Sequence, residues 1–225
     1  MIEETEFSPV MVLTGHYGCG KTNLAVNLAL LLGGRGRVSI VDFDTVNPYF
    51  RTADFTKMLE KNGIKVFYPR YAGTNLDIPV LNFDLESIIS ESDFTIIDLG
   101  GSDAGALPIK RYGKLFERLG AEILYVFNMY RLIDNSVEET AEMMREIERA
   151  AGIRCTALVN NSNLGAETTP QIIEKSAGFA EKLAGKTGLP LAFTCVPKNE
   201  KGGKTRLPVK RLVTLPWEKD TENGE

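Results

Sequence analysis

Short β-branched and apolar runs alternate along the chain with longer stretches whose apolar positions recur every three or four residues. PVMVLT (9–14), RVSIVD (37–42), IKVFYP (64–69), DFTIIDLG (93–100), AEILYVFN (121–128), IRCTALVN (153–160) and LPLAFTCV (189–196) read as strands. TNLAVNLALLL (22–32), RTADFTKMLEKNG (51–63), DLESIISES (84–92), about 104–119, NSVEETAEMMREIERAAG (135–152) and about Pro170 to Gly188 read as helices. The strands are nearly continuous apolar runs, as expected of strands covered on both faces. Their repeated β–α order predicts a doubly wound, three-layer α/β/α fold with a mostly parallel sheet of about seven strands.

Ligands of such folds sit at the carboxyl ends of the strands. Four unusual segments fall there: TGHYGCGKT, DFDTVNPYFR, DLGGSDAGA and NNSNLG. In the first, Gly15-x-x-x-x-Gly20-Lys21-Thr22 matches a P-loop in its confirming context, between a strand and a helix. Glycines let backbone N–H groups converge on phosphate oxygens, and the helix N-terminus adds partial positive charge. The expected phosphate cradle is Gly15, Gly18, Cys19, Gly20, Lys21, Thr22 and Asn23, with Lys21 at the β/γ-phosphates and the Thr22 hydroxyl on Mg²⁺. A dinucleotide fingerprint starting at Gly18 fails, because its last glycine position is Asn23.

Asp42 ends the second strand, Asp44 follows in DFDTVNPYFR, and Asp98 ends TIID. Three carboxylates near one polyphosphate repel it by several kcal/mol unless a cation stands between them, which implies Mg²⁺.

GHYGCGKTNLAVNLAL, VDFD and IIDLGG resemble the MinD/ParA-like P-loop ATPases of the SIMIBI class, over about residues 9–200. That class also holds CobQ/CobB-type amidoligases and metal-centre chaperones. The resemblance implies ATP and Mg²⁺ as ligands. It places Asp42 and Asp98 at the metal with Thr22, Asp98 as the Walker B acid, and Asp44 orienting the attacking water, so that Lys21 and Asp44 are the catalytic pair. Members often read KGGxGKT, with the first Lys reaching a partner's nucleotide across a dimer. Here His16 takes that Lys position and Tyr17 the next Gly. A nucleotide-dependent homodimer is an expectation from the resemblance, as is an unidentified protein or small-molecule partner. Arg51 is a candidate replacement cation.

NNSN (160–163) lies where GTPases carry NKxD. Guanine recognition needs a carboxylate at the last position, to accept from N1–H and the 2-amino group together. Asn163 offers one acceptor and an unwanted donor, a mismatch of about 1–3 kcal/mol. Adenine is therefore expected. The resemblance sets Asn160 against it, with Val196 and Pro197 lining the base.

Composition adds boundaries. The 225 residues carry a net charge of −4 and no Pro/Gly/Ser-rich linker, which predicts one domain over 1–200 and a basic-then-acidic tail over 201–225. The acidic balance makes nucleic acid an improbable partner. The polar N-terminus and the lack of a long apolar run predict a cytoplasmic protein without membrane attachment; Pro208 and Pro216 interrupt any amphipathic tail helix. Cys19, Cys155 and Cys195 are isolated, with no CxxC pair. The glycine-rich segments 71–79 and 100–112 are candidate switch loops. A slow ATP-hydrolysing switch is the first reading. The alternatives are an ATP-dependent synthetase, amidoligase or kinase acting on a small metabolite, and a metal-centre chaperone.

Overall fold

The computed structural model describes residues 6–43, 55–68, 83–101, 107–131, 136–200, 202–203 and 205–212. Asp44, Arg51, the segment 71–79 and residues 102–106 lie outside these residues.

The elements run β1 (Val10–Thr14), α1 (Lys21–Leu32), β2 (Val38–Asp42), α2 (Thr56–Lys61), β3 (Lys65–Phe67), α3 (Leu85–Ser90), β4 (Phe94–Asp98), a 3-10 turn (Leu107–Tyr112), α4 (Gly113–Leu119), β5 (Glu122–Phe127), α5 (Val137–Ala151), β6 (Ala157–Asn160), α6 (Pro170–Thr187), β7 (Leu191–Pro197) and β8 (Arg206–Val209). Helix bounds follow local chemistry. Ser136 and Thr169 cap α5 and α6 by accepting from Glu139 N and Ile172 N, Pro170 opens α6, and Gly152 and Gly188 end the two helices in left-handed conformations.

Among the described residues eight strands form one sheet in the order β3-β2-β4-β1-β5-β6-β7-β8, and every pair is parallel. Along β1, Val10 and Val12 join one apolar cluster while Met11 and Leu13 join the other, so both faces are buried. One cluster takes in α3, α4, α5 and α6; the second takes in α1 and α2. This is the three-layer α/β/α arrangement expected from the continuous apolar strands. Helix α1 buries Leu24, Leu28 and Leu32 against the sheet, each contributing about 1.5–3 kcal/mol.

Three details differ from the sequence reading. The sheet has eight strands rather than about seven, because Arg206–Val209 pairs with β7. Its Pro208, which lacks a donor, is tolerated because β8 is an edge strand. β6 starts at Ala157 rather than residue 153, since Cys155 N donates to the Glu148 carboxylate at 2.7 Å instead of a ladder partner. Within the stretch 104–119, the described residues form a 3-10 turn over Leu107–Tyr112 before α4.

Candidate functional site

β1 lies centrally, and the chain leaves its carboxyl end directly into the glycine-rich loop. Gly15 has φ of 143°, and a Cβ there would run into the Val126 carbonyl of β5. Only glycine permits that close approach. Gly20, at φ 91°, is the residue before α1 and supplies no side-chain cap, so the first-turn N–H groups of α1 point into the loop.

Lys21 is 6% exposed. Its Nζ donates to the Gly15 carbonyl at 2.9 Å and the His16 carbonyl at 3.1 Å, which folds the ammonium back over the loop. Gly101, at the carboxyl end of β4, packs against this arrangement: a Cβ there would stand 2.8 Å from Lys21 Nζ and 2.7 Å from Tyr17 N. Tyr17 itself is exposed.

Asp42 and Asp98 are register partners on adjacent strands, both about 1% exposed. Thr22 Oγ1 donates to Asp98 Oδ2 at 2.7 Å, so β4 and the loop helix meet through this pair. A hydroxyl and two carboxylates are hard oxygen donors, the set that suits Mg²⁺. The described residues assemble no group of three or more His, Cys, Asp or Glu side chains able to hold a metal.

On the other side of β1, NNSN follows β6. The structure brings it to the phosphate loop through a residue the sequence reading passed over: Asn161 Nδ2 donates to the Cys19 carbonyl at 2.7 Å, under Gly20. The adjacent asparagine, singled out for the base, is fully buried; Asn160 Nδ2 donates to Ser176 Oγ at 2.8 Å and its Oδ1 accepts from Ser162 N. Asn163 is engaged with its own loop, donating to the Asn161 carbonyl at 2.7 Å and accepting from Gly165 N. Asn128, at the end of β5, holds the loop by donating to the Asn163 carbonyl. Val196 is buried in β7, and Pro197 is half-buried at its end. The doubled asparagine was the available signal for Asn161, but which of the two faces the loop is a matter of β6 register.

Asn23 has a second engagement. Its Oδ1 accepts from Leu212 N at 2.8 Å, and one turn on, Asn27 accepts from Lys210 N and donates to the Lys210 carbonyl. The segment after β8 is thus strapped to α1.

Electrostatics at the loop concern His16. Its Nδ1 is buried with no hydrogen-bond partner among the described residues, and burial, then the Lys21 charge, hold its pKa below 6.5. At pH 7 the ring is neutral, so His16 adds no second cation beside Lys21. Because the folded-state value is depressed, the unfolded chain takes up the proton first as pH falls below about 6.5. We expect stability to be full above that pH and to decline with acidification. Urea unfolding at pH 5.5 and 7.5 should show a smaller decline in His16→Gln than in the parent; an equal decline would place the acid sensitivity elsewhere.

The three cysteines are free and buried, and burial pushes each thiol up. No helix among the described residues is long and apolar enough to cross a membrane.

Sequence comparison finds no matching protein family and no matching curated protein. Solved structures do match. Cell division protein FtsY of Thermotoga maritima is 20% identical with a TM-score of 0.59, over 86% of this chain and 65% of its own. The Aeropyrum pernix signal recognition particle 54 kDa protein, in complex with GDP, is 19% identical with a TM-score of 0.53, over 86% and 42%. FlhF complexed with GTP/Mg²⁺ is 15% identical with a TM-score of 0.54, over 92% and 71%. The chain spans less than two thirds of the first two proteins. At these identities the likeness speaks to fold alone: this chain shares the α/β fold of FtsY, the signal recognition particle 54 kDa protein and FlhF.

Proposed function

We propose that this chain is a Mg²⁺-dependent ATPase that works as a slow nucleotide switch of the MinD/ParA-like kind. The observation that carries the reading is the junction of loop and sheet: a buried Lys21 folded over Gly15 and His16, with Thr22 bonded to Asp98 at 2.7 Å beside Asp42. Lys21 neutralises β/γ-phosphate charge, the loop N–H groups orient the phosphates, and Thr22 with Asp98 and Asp42 holds Mg²⁺ at their outer end. Bound Mg²⁺ supplies charge neutralisation across the phosphate oxygens. The resemblance to the MinD/ParA-like ATPases assigns Asp44 the orientation of the attacking water.

Sheet order supports a direction for the nucleotide. Asp42 and Asp98 lie on β2 and β4, to one side of β1, so the phosphate and metal end points that way. The base end then extends over β5, β6 and β7, where the NNSN loop lies. Asn163 favours adenine there: it carries no carboxylate, and its amide is engaged with Asn161 and Gly165. GTP is the second reading, because structural neighbours are described in complex with GDP and with GTP/Mg²⁺. A synthetase or kinase reading needs a metabolite acceptor in place of water. The burial of all three cysteines speaks against a metal-centre chaperone.

Thermal unfolding with Mg-ATP and Mg-GTP in parallel tests the base. The expected result is stabilisation by Mg-ATP, with at least tenfold more Mg-GTP needed for the same shift. The reverse order would replace adenine by guanine, and no shift with either would remove the nucleotide reading.

A further inference from the structure

Arg211 follows the last strand, in the segment that the sequence reading treated as tail. Its guanidinium stands over Gly165, the residue that ends NNSNLG: a Cβ on Gly165 would be 3.6 Å from Arg211 Cζ and 3.8 Å from its Nε and Nη2. Gly165 has φ of 64° and bears no side chain to fill the space between them. The backbone on both sides of Arg211 is fixed. Lys210 exchanges two hydrogen bonds with Asn27, at 2.7 and 2.8 Å, and Leu212 N donates to Asn23 at 2.8 Å. Both asparagines are on α1, within two turns of Lys21. β8 anchors the same segment to β7 from its other end. An exposed planar cation is therefore held beside the β6 loop, on the opposite side of β1 from Asp42 and Asp98.

Resting on the nucleotide reading above, we propose that Arg211 covers the purine face of the bound nucleotide, so that the strap 210–212 is the outer wall of the base site. A guanidinium plane stacks on an aromatic ring with an attraction that does not depend on which purine is present. The strap links the two ends of the nucleotide, since Asn23 and Asn27 belong to the helix whose N-terminus receives the phosphates. Arg211 thus raises affinity for a base-bearing triphosphate without touching the triphosphate.

The test is calorimetric titration of the full chain and of Arg211→Ala and Arg211→Lys with Mg-ATP, Mg-GTP and Mg-tripolyphosphate, the last lacking a base. Arg211→Ala is expected to weaken whichever purine triphosphate binds by roughly 3- to 30-fold. Tripolyphosphate binding should be unchanged. Arg211→Lys keeps the charge but not the plane, and should recover little of the loss. Equal weakening of nucleotide and tripolyphosphate, or full recovery in Arg211→Lys, would make Arg211 a general source of positive charge and overturn the proposal. No change in nucleotide affinity would overturn it as well. If the parent bound tripolyphosphate as tightly as any nucleotide, the base wall would fall while the phosphate site stood. If it bound none of the three, the nucleotide reading would fall and take the wall with it. Retained tripolyphosphate binding by both variants shows that the fold and the phosphate site survive the substitution, whatever change their unfolding midpoints record.

Discussion

On the ATPase reading proposed above, Mg-ATP is expected to stabilise this protein, and Lys21→Ala to abolish that stabilisation while leaving the chain folded. At one hundred times its Kd, a ligand bound only by the folded state adds about 2.7 kcal/mol, which raises Tm by roughly 5–10 °C for a chain of this size. Lys21 is the only cation that the described structure places over the loop carbonyls of Gly15 and His16, so its removal takes away the charge that balances the phosphates. The fold does not rest on it. α1 is held by Leu24, Leu28 and Leu32, and losing the two bonds to loop carbonyls costs about 1–3 kcal/mol in total. Differential scanning fluorimetry with and without Mg-ATP reads both effects. An undiminished shift in Lys21→Ala would mean that the nucleotide binds elsewhere.

Gly15→Ala carries the largest expected loss of stability, and Gly18→Ala is its control. Both positions have positive φ, 143° and 76°. At Gly18 a Cβ meets nothing within 4 Å, so the cost is that of left-handed backbone alone, about 1–2 kcal/mol. At Gly15 the same atom collides with the backbone carbonyl of Val126, near the carboxyl end of β5, which is flanked by β1 and β6 and cannot readily give way. We expect Gly15→Ala to lose more than about 4 kcal/mol or fail to fold, since overlap with fixed backbone adds to the strain. Denaturant midpoints of the two variants decide the matter. Similar losses at both positions would show that β1 and β5 separate easily at their carboxyl ends.

The sequence displays this fold clearly for a reason visible in β1. Val10 to Thr14 are all buried, because helices cover both faces of the sheet. A strand in that setting has no polar side to show, and its composition announces it. The short β8 had no such signal. RLPV contains an Arg and a Pro, and its identity as a strand depends on lying against the edge of β7. Ile153 to Thr156 erred the other way, being apolar enough for a strand yet drawn off by Glu148.

The candidate site divides along the same line. The glycine-rich loop was legible because its pattern is local: the glycines, Lys21 and Thr22 fall within eight residues of one another, and spacing alone brings them together. Asp42 and Asp98 were legible as strand ends, but their standing side by side, with Thr22 on Asp98, follows from β2 and β4 being neighbours. Asn161 under Gly20, Gly101 against Lys21, and the strap from Lys210 to Leu212 on α1 join residues up to 189 positions apart. No periodicity records such a pairing. By itself the chain determined where strands, helices and a glycine-rich turn must form, since each is decided by neighbours a few bonds away. Which asparagine holds the loop, and which arginine stands over Gly165, was decided only when the sheet set its strand order and brought distant backbone together.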